Sequence, residues 1–324
     1  LAGTNKRLLI ELKNLQNQQY SKQNLLDNDY LIFPDDQDMN IVYTIIKAPE
    51  DSVYRHKFIR LDFKMPQNYP FEPPVVTFIN YDGVRIHPNM YEDGKCCLTI
   101  LNTWPSEKEK WESTMGIETI LLAFLSFLDN TPYVHEPGGR DDNTYTGYVI
   151  HQTYKSCLLR YIQFEKISLF RKFIFSYLMV NIDYIFNDLR YLSTNYDNVK
   201  FFYTSCFEIY NYTINYDKTI QDLSYYYNYL DYDDENDDYD LEDFDTDLDL
   251  NNLCTICLEE LRENKMKLEC NHFFHKTCIT KHLKIQNHCP VCRKDNVWMI
   301  NPLTKRRIKF GSRTHKRLIE EKVL

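Results

Sequence analysis

The sequence predicts an α+β protein in two folded parts. The first is an antiparallel sheet flanked by helices, with a helical extension; the second is a small metal-held module near the C-terminus. Three observations carry this. Residues 57–64 alternate apolar and charged side chains, with helix-like periodicity on either side. Eight cysteines and histidines from Cys254 to Cys292 stand at metal-ligand spacing. Between the parts lies an acidic run, residues 231–249, that repels itself and should be extended and solvated.

Taken in order, Leu8, Leu9, Leu12 and Leu15 recur at helical spacing among Lys6, Arg7, Glu11 and Lys13. Thr4 or Asn5 can cap the start, so the chain opens on an amphipathic helix. Residues 41–47 are rich in β-branched side chains. In residues 57–64, Ile59, Leu61 and Phe63 alternate with Arg60, Asp62 and Lys64, which predicts one buried and one wet face. Tyr69-Pro70-Phe71-Glu72-Pro73-Pro74 carries too many prolines for a sheet ladder and reads as a rigid loop. Residues 75–79 give one more short strand. Residues 116–129 are apolar nearly all round, which predicts a buried helix ended by Pro132. His135-Glu136-Pro137-Gly138-Gly139 is a turn. Residues 148–162 form a further amphipathic helix with Cys157 on its apolar side.

From Phe164 onward the chain is helical by period and crowded with aromatics. Residues 173–182 are too short an apolar run to span a bilayer. These helices either pack on the preceding domain or present a partner surface, and the sequence leaves both open. Cys206 has no ligand-like neighbour and reads as a core residue. The expected units are 1–163, 164–229, an acidic linker 230–251, a metal-bound module 252–300 and a basic tail 301–324.

The net charge of -9 is concentrated in the linker, while the tail is basic, so binding of nucleic acid by the whole chain is not expected. The ten cysteines fall largely in the late cluster, and residues 1–7 show no signal pattern before the amphipathic run. Both point to a reducing, intracellular setting, cytoplasm or nucleus. The first residue is Leu1, which leaves room for an upstream segment.

Chemistry concentrates in two places. Residues 87–101 hold a His87-Pro88-Asn89 turn, Gly94, and Cys97 eight positions after Asn89. A thiol can carry an acyl group as a thioester, and an asparagine amide can donate to the oxyanion formed when that thioester is attacked. Cys97 is read as the carrier and Asn89 as the donor. The late cluster reads C-x2-C-x12-C-x-H-x2-H-x2-C-x10-C-x2-C. Thiolate and imidazole ligands in fours suit tetrahedral Zn²⁺, and eight ligands give two ions. His282 and His288 are surplus to the eight and are expected on the surface.

The late spacing resembles the RING finger. That resemblance implies interleaved sites, one zinc on Cys254, Cys257, His275 and Cys278, the other on Cys270, His272, Cys289 and Cys292. It also implies a conjugating-enzyme contact through Ile256 and Pro290, with Arg293 as the bridging cation. His282 departs from the tryptophan the family often has.

The first domain resembles the ubiquitin-conjugating fold. The resemblance runs through the basic first helix, the Tyr-Pro-Phe-x-Pro-Pro loop, His87-Pro88-Asn89, residues 94–98, Trp104, Trp111 and the central helix. It implies that Cys97, not Cys96, carries the thioester and that Asn89 stabilises the oxyanion or braces its loop. Glu136 falls at the position of the gate residue that relieves the attacking amine of its proton. Lys6 and Arg7 match residues that dock the activating enzyme, and Phe71 the side chain inserted into a RING groove. Ser113 stands where many members have proline, a departure in the second RING-contact loop. Residues 301–318 resemble a short adaptor motif of large DNA viruses, without its two flanking cysteines.

The implied function is ubiquitin transfer, with ubiquitin or a related modifier, the activating enzyme and protein substrates as partners and no membrane. The alternative is a RING module that recruits a separate conjugating enzyme while the first domain holds substrate or ubiquitin.

Overall fold

The computed structural model describes residues 5–104, 110–196, 200–201, 212–228, 253–261, 265–294, 298–300 and 307–309. The acidic linker, Cys206 and most of the basic tail lie outside the described residues.

Helix α1 (Lys6–Ser21) starts at Asn5, whose side chain accepts from the Arg7 and Leu8 amides, satisfying donors that a helix start leaves open. Leu8, Leu12 and Leu15 are buried, whereas Leu9 falls on the wet side. Four antiparallel strands follow in the order β1 (Tyr30–Pro34), β2 (Ile41–Lys47), β3 (Phe58–Lys64) and β4 (Val75–Phe78). The sequence reading passed over β1, although Tyr30-Leu31-Ile32-Phe33 is an apolar β-prone run. Helix α2 (Ile117–Phe127) buries Ile117, Ile120, Leu121 and Phe124 but leaves Leu122 52% exposed. The expected all-round burial is therefore not realised.

Helix α3 (Asn143–Tyr154) passes through a π-helical turn at Lys155–Leu159 into α4 (Arg160–Phe164), with Cys157 fully buried. Helix α5 (Ser168–Tyr196) then packs back on the sheet, and Phe173 and Tyr177 meet Phe58 edge-on at 5.6 and 5.5 Å. This contact decides the question the sequence left open, since the extension shares its core with the first domain. It also corrects the expected wet face of β3. Arg60 is buried, ion-paired to Glu165 at 3.1 Å and 4.9 Å from the Phe170 ring. Strands β5 (Lys200–Phe201) and β6 (Tyr212–Thr213) pair, and α6 (Tyr216–Asn228) returns along α5. No described helix is long and apolar enough to cross a membrane.

The C-terminal module pairs β7 (Lys265–Lys267) with β8 (Phe273–His275) ahead of α7 (Lys276–Ile285). Its own small core comprises Ile256, Leu261, Leu268, Phe274, Ile279 and Leu283. Strands β9 (Trp298–Ile300) and β10 (Arg307–Lys309) pair beyond it.

Lys57 is fully buried, with Nζ 3.7 Å from the Tyr154 ring centroid. Burial pushes its amine down to about 7, with Asp188 pulling the other way. The unfolded chain titrates this group near about 10.4. Between those values the unfolded state holds a proton that the folded state has shed, so stability rises with pH. Below the folded value both states are protonated and the burial cost is fully felt. Lys57→Met is expected to stabilise the fold by about 1–3 kcal/mol near pH 6 and by less near pH 9, as thermal melts at the two pH values would read.

Candidate active site and the docked RING

The carrier segment is a hairpin closed on itself. Met90 and Cys96 form a bridge, the Tyr91 amide donates to Lys95, and the Gly94 amide donates to Tyr91. Gly94 has φ +85°, and a Cβ there would lie 2.6 Å from the Phe78 carbonyl oxygen. Only glycine fits that approach. The Gly94 carbonyl accepts from the Phe78 amide at 2.8 Å, which ties the hairpin to β4.

The His-Pro-Asn turn grips the next residue. The Cys97 amide donates to the Asn89 carbonyl at 2.8 Å, and Asn89 Nδ2 donates to the Cys97 carbonyl at 2.7 Å. Asn89 thus stands as a brace of the Cys97 backbone in this conformation. Beneath it His87 is fully buried, accepts from the Asn89 amide at 3.1 Å and stacks on Phe127 at 4.5 Å. Burial, and then His135 alongside, hold its imidazole well below the usual range, so it is neutral.

Cys97 Sγ lies 3.2 Å from the Thr103 carbonyl, and Thr103 Oγ1 bridges the Cys96 carbonyl and the Leu98 amide at 2.9 Å each. Cys96 points into the core, where burial pushes its thiol up to about 12 and keeps it protonated. Tyr91, which sequence reasoning missed, brings its hydroxyl into hydrogen-bonding range of Cys97. Its phenol is pushed up by burial first and then by that contact. Arg85 covers the Tyr91 ring at 3.9 Å. Glu136 is half-buried at the end of a 3-10 turn, Pro132–His135, and the preceding His135 packs 5.0 Å from His87.

In the C-terminal module, Cys254, Cys257, His275 and Cys278 converge, as do Cys270, His272, Cys289 and Cys292. Within each group the ligand atoms all lie within 4.8 Å of one another. His275 Nε2 donates to the Glu260 carbonyl at 3.0 Å, leaving Nδ1 toward the sulfurs, the orientation that a zinc-ligating imidazole needs. The donor set is compatible with zinc.

This module sits on the first domain. Phe71 packs against the Ile256 cluster, and Lys281 Nζ lies 5.7 Å from its ring. Arg7 is buried beneath the module. Its Nη1 donates to the carbonyls of Thr255 and Ile256 at 3.1 and 3.2 Å, and its Nε pairs with Glu11 at 3.1 Å. Lys6 reaches Glu259 at 3.4 Å. Thr114 Oγ1 donates to the Pro290 carbonyl at 3.0 Å, and Gln286 Nε2 donates to the Trp111 carbonyl at 2.6 Å. Arg293 Nε stands 3.7 Å from Glu112.

The surplus histidines are not on the surface. His282 is buried and bonds Ser113 Oγ at 2.9 Å, while His288 Nε2 lies 2.6 Å from Glu112. Ser113 and His282, each a departure from its family pattern, are therefore partners. Glu112, Thr114 and Gln286 were missed as interface residues; the two surplus histidines were the available signal.

Comparison with known proteins defines the class. Residues 7–149 match the family model "Ubiquitin-conjugating enzyme", and residues 252–293 match "Ring finger domain". The chain therefore carries a ubiquitin-conjugating enzyme domain followed by a RING finger. It is similar to "Ubiquitin-conjugating enzyme E2 Z" of Danio rerio, 33% identical over 130 residues, covering 38% of this chain and 39% of that protein. It is also similar to human "Dual E2 ubiquitin-conjugating enzyme/E3 ubiquitin-protein ligase BIRC6", 38% identical over 109 residues, 32% of this chain and 2% of that one. A viral relative, "Ubiquitin-conjugating enzyme E2" of African swine fever virus (isolate Pig/Kenya/KEN-50/1950), is 37% identical over 99 residues, covering 30% of this chain and 44% of that one. The chain spans less than half the length of these relatives.

Proposed function

We propose that this chain carries out two consecutive steps of ubiquitin transfer, with the conjugating domain as thioester carrier and its own RING promoting discharge. One observation supports this above all: a RING seated on the same domain whose His-Pro-Asn turn grips Cys97. In the first step the Cys97 thiolate attacks the thioester carbonyl of the modifier held by the activating enzyme. A new C–S bond forms, and that enzyme's thiolate leaves. In the second step a substrate lysine amine attacks the carbonyl. The C–N bond forms, the C–S bond breaks, and the Cys97 sulfur leaves with the electron pair. Glu136 accepts the proton the amine loses. Asn89 keeps the Cys97 backbone in place and donates to the oxyanion if its amide turns outward.

Lys6 and Arg7 receive the activating enzyme, while Phe71, Ile256, Pro290 and Arg293 couple the two domains. Two Zn²⁺ ions, on the two ligand groups described above, supply folding energy to a module with a small core of its own. Thiolate ligands suit a reducing compartment, so the cytoplasm or nucleus is the proposed setting. The linker raises the effective concentration of the RING on its own domain.

Incubation with activating enzyme, ATP and ubiquitin is expected to yield an adduct cleaved by reductant. Cys97→Ala should abolish it, and Cys96→Ala should retain it. An adduct that persists in Cys97→Ala, or none in the parent chain, would overturn the assignment.

A further inference from the structure

Glu112, His282 and His288 meet where the RING sits on the conjugating domain. Their ligand atoms all lie within 4.8 Å of one another, and none of the three belongs to the two RING groups. Glu112 Oε1 is 2.6 Å from His288 Nε2, and Glu112 Oε2 is 3.7 Å from His282 Nε2. Both Glu112 Oε2 and His282 Nε2 are buried and close no hydrogen bond. The side chains of Glu112 and His282 are 4% and 2% exposed. A buried carboxylate oxygen facing a buried imidazole nitrogen, neither closing a hydrogen bond, is costly: the carboxylate needs a positive centre or a donor, and so does Nε2 in the tautomer whose Nδ1 proton goes to Ser113.

We propose that this triad is a third metal site, binding a borderline divalent cation such as Zn²⁺ across the interface and clamping the RING to its conjugating domain. Two imidazoles and a carboxylate are a ligand set zinc accepts, with one position left for water. Bonds of about 2.0–2.1 Å at tetrahedral angles place donors about 3.3 Å apart. The observed separations of 2.6 and 3.7 Å straddle that value. The surroundings orient the ligands. His282 Nδ1 is engaged by Ser113 Oγ at 2.9 Å, which directs Nε2 toward Glu112.

One group opposes the ion. Arg293 Nε lies 3.7 Å from Glu112 Oε1, with its side chain 40% exposed. It competes for the same carboxylate, so this site is expected to be weaker than the thiolate sites and to lose its ion first. One ligand comes from the conjugating domain and two from the RING. Binding therefore stabilises only the docked arrangement.

The test is zinc content per chain in the full-length protein, equilibrated with excess Zn²⁺ and desalted. The parent is expected to hold one ion more than the double variant Glu112→Gln, His288→Gln. Equal contents would overturn the site. The difference of one does not depend on how many ions the RING holds, nor on whether the chain transfers ubiquitin. A second measurement needs no variant. In Co²⁺-loaded parent chain, mild chelation should withdraw one equivalent while thiolate-to-cobalt absorption is unchanged. If every released equivalent costs thiolate absorption, the triad holds no metal and its histidines pair with Glu112 by protons alone.

Discussion

Phe71→Ala is expected to speed the charging of Cys97 and to slow its discharge onto lysine. The opposite signs come from the seating of the RING. Arg7, one of the two residues proposed to receive the activating enzyme, is only 5% exposed and spends its guanidinium on the carbonyls of Thr255, Ile256 and Met115. Lys6 is drawn toward Glu259. If Lys6 and Arg7 receive the activating enzyme as proposed, the docked RING covers that surface, and the chain has to open before it is loaded. Phe71 is the aromatic anchor of that docking, packed on the Ile256 cluster. Truncating such an anchor costs about 2 kcal/mol or more, which shifts the open fraction about thirty-fold. Single-turnover charging should rise toward the rate of a chain lacking residues 252–324. Discharge to free lysine should fall toward the rate of that same truncated chain. A charging rate unchanged in both would mean that the RING does not gate the activating enzyme.

Geometry fixed by local spacing was legible in the sequence. Cys97 and Asn89 are eight residues apart, and the hairpin between them is closed by its own backbone, so residue type and spacing sufficed. The eight late ligands were legible for the same reason: a metal-held module is specified by its donors more than by its core. What was hidden depends on contacts distant in sequence. The alternation in β3 predicted a wet face through Arg60, yet Glu165, 105 residues away, covers it. Arg7 read as a first-helix cation that docks the activating enzyme, but its carbonyl partner at Ile256 is 249 positions downstream. Ser113 and His282 looked like two separate departures from the family pattern. Placed 2.9 Å apart, they form one polar contact that replaces the expected proline and tryptophan. A single sequence displays each half of such a pair but not the pairing.

Glu11→Ala is expected to be the most destabilising single change in the conjugating domain, because one buried carboxylate joins three elements. Glu11 is 6% exposed. Its Oε2 accepts from Arg7 Nε at 3.1 Å and from the Tyr69 hydroxyl at 2.6 Å, while its Oε1 accepts from the Ile117 amide at the start of α2. Helix α1, the Tyr69 loop and α2 therefore share one acceptor, and Arg7 extends the network to the RING. Removing the carboxylate leaves a buried guanidinium, a phenol and a helix-start amide without this partner. Breaking a buried pair from one side costs about 3–5 kcal/mol. Glu11→Gln keeps the shape and an acceptor oxygen but loses the charge facing Arg7, so about half of that loss should be recovered. Thermal or urea unfolding, followed by tryptophan emission, would rank the three proteins as parent, then Gln, then Ala. The Ala variant should also loosen the RING, since Arg7 then keeps only the Met115 carbonyl on the conjugating-domain side. Proteolysis near residues 253–261 should accelerate in Ala before global unfolding begins. If Glu11→Ala unfolds at the parent's midpoint, the carboxylate is not the joint between these elements.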